Sequence, residues 1–123
     1  MFKVQTRSGR LILLVSLLCI SLSSLGVAQK KFPTGKYASG DFEITFNDDQ
    51  THTVSANGKV VVKGSYTVTE DQIVITDKEG DFACQGPGKY KWKVEGTSLK
   101  FEKVEDECDG RATALSGFTW AKK

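Results

Sequence analysis

Few residues in this chain are equipped for chemistry, and their spacing narrows what they can do. There is one histidine, His52, and there are three cysteines, Cys19, Cys84 and Cys108. His52 falls on the inward parity opposite Phe46, near a hairpin end, with no acid or base partner in its own segment. It reads as a packed histidine at the rim of a fold. No G-x-S-x-G elbow, H-E-x-x-H helix or phosphate loop occurs. Two isolated thiols and a distant imidazole lack zinc spacing, and no C-x-x-C pair is present to lower a thiol pKa. The acidic cluster Glu105, Asp106, Glu107 and Asp109 lacks the ligand spacing and central glycine of a calcium loop. The residues therefore predict no catalytic group, no metal and no cofactor, and a protein that binds rather than catalyses.

The cysteines gain meaning from the N-terminus. A basic head (Lys3, Arg7, Arg10) precedes an apolar run from Leu11 to Leu25, and Gly26-Val27-Ala28 closes the segment with the pattern a signal peptidase reads. About 15 apolar residues are fewer than the roughly 20 that span a bilayer as a helix. Residues 1–28 are thus expected to be a cleaved signal, with no membrane span remaining and a secreted or periplasmic product beginning at Gln29. A lipoprotein is disfavoured because Cys19 follows Leu18 rather than a small residue. Cleavage removes three of 17 Lys and Arg and none of 15 Asp and Glu, so 14 stand against 15 and the formal charge moves from +2 to −1. Global basicity gives no case for nucleic acid.

Taking 28 from 123 leaves 95 residues, enough for a single domain and expected to be a monomer. A domain of this size is helped by a covalent staple. Cys84 and Cys108 are the thiols left in an oxidising compartment and are expected to pair. Closing a loop of about 25 residues stabilises by about 3.5 kcal/mol in the chain-entropy treatment.

The elements that must position these residues are strands. Beyond a short flexible lead-in over 29–34, two-residue alternation recurs through residues 35–123 without a convincing helical period. In Lys89-Tyr90-Lys91-Trp92-Lys93-Val94-Glu95 the odd positions are charged and the even ones apolar, giving one wet face and one buried face. The same parity turns Phe42, Ile44, Phe46, Val54, Ala56, Val60, Val62, Tyr66, Val68, Ile73, Ile75, Leu99, Phe101, Phe118 and Trp120 inward. Expected strands run over 36–46, 51–56, 59–69, 72–78, 89–95, 98–104 and 117–122, the third with a bend at Gly64 that could divide it. Cross-strand partners must share a face. Gly96-Thr97 as a two-residue turn pairs Val94 with Leu99, Trp92 with Phe101 and Lys91 with Glu102. A three-residue loop over Ala56 to Gly58 sets Val54 opposite Val60. The hairpin at Asp48-Asp49-Gln50 places Gln50 at positive φ, at about 1 kcal/mol. Consecutive tight hairpins make a meander. The expected fold is all-β, a small antiparallel up-and-down barrel of about eight strands, with a short helical turn from Arg111 to Leu115 before the last strand.

Gly35-Lys36-Tyr37 resembles the G-x-W opening of the lipocalin-like (calycin) barrels, with Tyr in place of Trp. Gly64-Ser65-Tyr66 and Gly88-Lys89-Tyr90 repeat the glycine-aromatic step. The stretch from Leu99 through Asp106, Cys108, Gly110 and Arg111 to Trp120 resembles small secreted bacterial domains of that type. The resemblance spans most of residues 35–122. The chain is shorter than a ligand-carrying lipocalin and lacks its C-terminal helix. The resemblance implies that Arg111 closes one barrel end by stacking on an aromatic ring, Tyr37 or Trp120.

For function, the inward aromatics matter most. Tyr66, Tyr90, Trp92, Phe101 and Trp120 are the candidate contacts for a small hydrophobic ligand held at one barrel end, although side chains alone can fill so small an interior. The alternative is a recognition or inhibitor module that meets a protein or glycan through its loops, with Gln85-Gly86-Pro87-Gly88 beside the disulfide as the candidate surface. Lys89, Lys91 and Lys93 form a basic strand face read as solvated, since Glu102 stands opposite Lys91.

Overall fold

The computed structural model describes residues 31–123. The signal expected over 1–28 lies outside the described residues. The strands are β1 (Gly35–Ser39), β2 (Phe42–Phe46), β3 (Thr51–Ala56), β4 (Lys59–Thr69), β5 (Gln72–Glu79), β6 (Pro87–Glu95), β7 (Ser98–Glu105) and β8 (Trp120–Lys122), with a helix α1 (Asp109–Gly117) before the last. Each pairs antiparallel with its sequence neighbour, and β8 returns to β1 through Tyr37 opposite Lys122, so the sheet closes as an up-and-down barrel.

The eighth strand comes from an unexpected division. The segment expected as one strand over 36–46 turns back at Gly40-Asp41, with Ser39 opposite Phe42 and Gly40 at φ +59°. A glycine at positive φ is what a two-residue hairpin needs. β4, in contrast, passes Gly64 as one strand of 11 residues, and the irregularity there is only a register shift against β5.

The Asn57-Gly58 hairpin also corrects the expectation. It is a two-residue turn with Ala56 opposite Lys59, and both central residues take positive φ, +53° and +81°. Parity is restored inside β4, where a bulge lets Val54 pair with Val62 and Ser55 with Val60. The extra residue leaves Val61 and Val62 both buried and Val60 46% exposed, contrary to the inward position expected for it. Asn and Gly tolerate the left-handed conformation, so the tight turn is kept and the strand absorbs the mismatch.

Other registers match the expected ones. Trp92 pairs with Phe101, Lys91 with Glu102 and Val94 with Leu99. Gln50 stands at φ +70°, and the Asp49 carboxylate ties the loop by accepting from Thr51 N (3.1 Å) and Oγ1 (2.6 Å). Besides Val60, two apolar residues expected inside are substantially exposed. Val94, at a hairpin tip, is 45% exposed whereas Leu99, paired with Trp120 of β8, is fully buried; Phe118 precedes β8 and is 39% exposed.

One half of the barrel is filled with rings. Phe32, expected in a flexible lead-in, is buried there. Its ring centroid lies 5.0 Å from Phe46, 5.6 Å from Tyr66 and 5.1 Å from Trp92, two of the three contacts being edge-to-face. Phe46 continues the stack to Tyr66 at 5.2 Å and Phe101 at 6.1 Å. The Tyr37 hydroxyl donates to Pro33 O and that of Tyr66 to Asn47 O, so both rings are buried with their polar tips satisfied.

Candidate functional site

The other half is not filled. Between α1, the 80–86 loop and the adjoining ends of β2, β3 and β4 lies a cavity of about 270 Å³. Its walls are mostly aliphatic and aromatic, with Phe42, Ile44, Val54, Val62, Leu115 and Trp120 among them, and the 58% exposed Phe82 marks its mouth. His52, Asp77 and Arg111 are the ionisable side chains in the lining.

Sequence position explains why they meet. His52, the second residue of β3, lies on the inward parity and pairs across the sheet with Gly64, which in turn pairs with Asp77 of β5. Gly64 carries no side chain where one would crowd: a Cβ there would stand 2.7 Å from His52 Cε1 and 2.9 Å from Asp77 Cα. Gly88 does the same on β6, where a Cβ would press on the Asp106 carboxylate and reach 3.0 Å from Arg111 Nε. At Gly88 the space is filled by polar side chains; at Gly64 it is filled by the β5 backbone, with Thr76 O the atom nearest such a Cβ, and by the His52 ring.

Arg111, in the first turns of α1, is held by two carboxylates. Its Nε and Nη2 donate to the two oxygens of Asp106 at 2.7 and 2.8 Å, a bidentate fork, and Nη2 also donates to Gly86 O at 3.1 Å. Nη1 stands 3.4 Å from Asp77 Oδ2. Asp77 also faces His52 Nε2 at 3.3 Å and accepts Cys84 N–H at 2.9 Å. Asp106 additionally accepts the Tyr90 hydroxyl and Cys108 N–H. A continuous buried chain thus runs His52–Asp77–Arg111–Asp106–Tyr90. The Cys84–Cys108 disulfide, Cα atoms 6.1 Å apart, joins the 80–86 loop to the start of α1 beside it.

Burial opposes ionisation of both carboxylates, but the partners prevail. Hydrogen bonds from Arg111, Tyr90 and the Cys108 amide hold Asp106 below the usual carboxylate range. For Asp77 the same is done by His52, the Cys84 amide and the Arg111 charge. Burial, then the hydrogen bond to Asp106, pushes the Tyr90 hydroxyl up, so it stays protonated as a donor. The hydrogen bonds to Asp106 raise Arg111 further.

The residues singled out from sequence divide between the two halves. Trp120 lines the cavity. Tyr66, Trp92 and Phe101 belong to the ring-filled half, and Tyr90 is wholly buried with its hydroxyl on Asp106. Arg111 sits at the cavity end, but its partners are carboxylates rather than an aromatic face. The cation over the Tyr37 ring is Lys122, at 5.0 Å. Of the acidic cluster, Asp106 alone turns inward; Glu105, Glu107 and Asp109 are exposed. Sequence reading missed Asp77, although Ile73, Ile75 and Asp77 share one parity. A charge on the inward face of a strand was the signal. Compared with known proteins, the chain matches no family model, no curated protein and no solved structure.

Proposed function

We propose that this protein is an exported, non-catalytic binding domain that holds a small hydrophobic molecule in the cavity at the α1 end of its barrel. The observation that carries the reading is the 270 Å³ apolar-walled cavity at the α1 end of a barrel whose other buried side chains include a cluster of packed rings. Structure-stabilising side chains could have filled both ends, and binding sites are concave, mostly apolar and few per protein. The closed up-and-down topology and the sequence resemblance to lipocalin-like barrels support the same reading. At interior packing density the space suits a molecule of roughly 200 Å³. The buried ion chain acts structurally in this reading, fixing the helix and loop that wall the cavity.

The test is calorimetric titration with naphthalene, alongside Ala114→Phe, which projects a ring from α1 into the cavity lining. Saturable binding by the wild type that is lost in a folded Ala114→Phe variant is expected. Absence of binding, or equal binding by both proteins, would contradict the proposal. One observation favours a second reading, recognition of a protein through the loops: Phe82 is 58% exposed and Val60, nearby in the fold, 46%. It predicts a complex lost in Phe82→Ser with the cavity unaltered.

A further inference from the structure

We propose that the cavity selects an uncharged molecule with an apolar body and a hydroxyl group, the hydroxyl meeting a polar wall formed by His52, Arg111 and Trp120. This deepens the binding reading above and rests on it. His52 Nδ1, Arg111 Nη1 and Trp120 Nε1 are all buried and have no hydrogen-bond partner among the described residues, and all three residues line the cavity. Buried polar atoms are nearly always paired, so such a group in the lining of a cavity points to a partner that enters it.

The kind of partner follows from what is already used. Both Asp77 and Asp106 are occupied by protein groups: on the first, the His52 ring and the Cys84 amide as donors, with the Arg111 charge 3.4 Å away but not hydrogen-bonded; on the second, Arg111, Tyr90 and the Cys108 amide as donors. An ammonium ligand would find no free carboxylate oxygen. A carboxylate ligand would approach one guanidinium already balanced by two carboxylates, a group carrying net negative charge when the imidazole is neutral, and would incur the desolvation of a further buried anion. Neither charge fits. In the neutral imidazole the nitrogen facing Asp77 must carry the proton, because a carboxylate only accepts; Nδ1 is then an acceptor. Arg111 Nη1–H and Trp120 Nε1–H are donors. One acceptor and two kinds of donor complement a hydroxyl, which donates once and accepts twice.

The experiment compares four ligands of one skeleton on the protein: naphthalene, 2-naphthol, 2-naphthoate and 2-naphthylmethylammonium, by calorimetry at neutral pH. The expected result is that 2-naphthol binds about tenfold more tightly than naphthalene and both charged ligands bind more weakly than naphthalene. Trp120→Phe, which removes one N–H and keeps a ring, is expected to narrow the naphthol-to-naphthalene ratio. Naphthalene bound as tightly as naphthol, or an unchanged ratio in Trp120→Phe, would overturn the polar wall while leaving the cavity a binding site. Naphthoate as the tightest ligand would overturn the exclusion of charge. Binding of none of the four would remove the cavity reading itself.

Discussion

The two halves of this barrel are built from the same alternating strands, yet one closes on rings and the other stands around a space. In the first, Phe32 enters from outside the sheet and packs on Phe46, Tyr66 and Trp92. In the second, a charged chain from His52 to Tyr90 takes the place of a ring stack, and the disulfide and Arg111 hold the helix and loop away from the strand ends. An apolar core fills because closer approach of its side chains adds dispersion and burial from every direction. A bidentate ion network is directional: it fixes distances and does not collapse into neighbouring space. The contrast shows how a domain of this size can keep a cavity without losing its closed form.

The largest change should come from breaking the network. Arg111→Met leaves two buried carboxylates uncompensated and is expected to lower stability by about 3–5 kcal/mol in urea unfolding; a loss near zero would mean the charges do not hold this half. Acid attacks the same groups. Asp77 and Asp106 have folded pKa values below the 3.8 of the unfolded chain, so their contribution is complete above that value and disappears as pH falls through the depressed folded values. Stability followed by thermal unfolding should therefore be insensitive to these groups near neutrality and decline below about pH 4, with a shallower decline in Asp77→Asn/Asp106→Asn. Replacing both cysteines, Cys84→Ser with Cys108→Ser, should cost about 3.5 kcal/mol.

A paired measurement sharpens the comparison. Phe32→Ala empties a place in the filled half and is expected to cost about 3 kcal/mol. Phe82→Ala, at the exposed mouth of the other half, should change stability by less than about 0.5 kcal/mol. Equal effects would erase the distinction between the ends. A small effect of opposite sign is local to a turn: Gln50→Gly relieves a side chain held at positive φ and should stabilise by about 0.5–1 kcal/mol.

Much of the filled half was legible in sequence, because parity and turn length constrain each other. The Trp92–Phe101 register and the left-handed Gln50 both follow from that constraint. The break at Gly40 was missed: Tyr37 is inward on an odd number and Ile44 on an even one, but that change of phase shows only once both burials are known. The bulge at Val61 was hidden, since three consecutive valines carry no phase and either the turn or the strand could absorb the extra residue. Phe32 was hidden because it lies outside any periodic segment. The polar half was the hardest to read. His52, Asp77 and Arg111 are far apart in sequence and meet only through a sheet register and a disulfide-linked helix, neither of which leaves a local motif.

The central claim is that ligand enters one half of the barrel and not the other, and the chain carries one tryptophan in each. Titration with naphthalene should be followed by tryptophan emission in Trp92→Phe, which leaves Trp120 in the cavity wall, and in Trp120→Phe, which leaves Trp92 in the ring stack. A saturable change from Trp120 with a silent Trp92 is the result this account predicts. A response from Trp92 alone, or from neither, would contradict it.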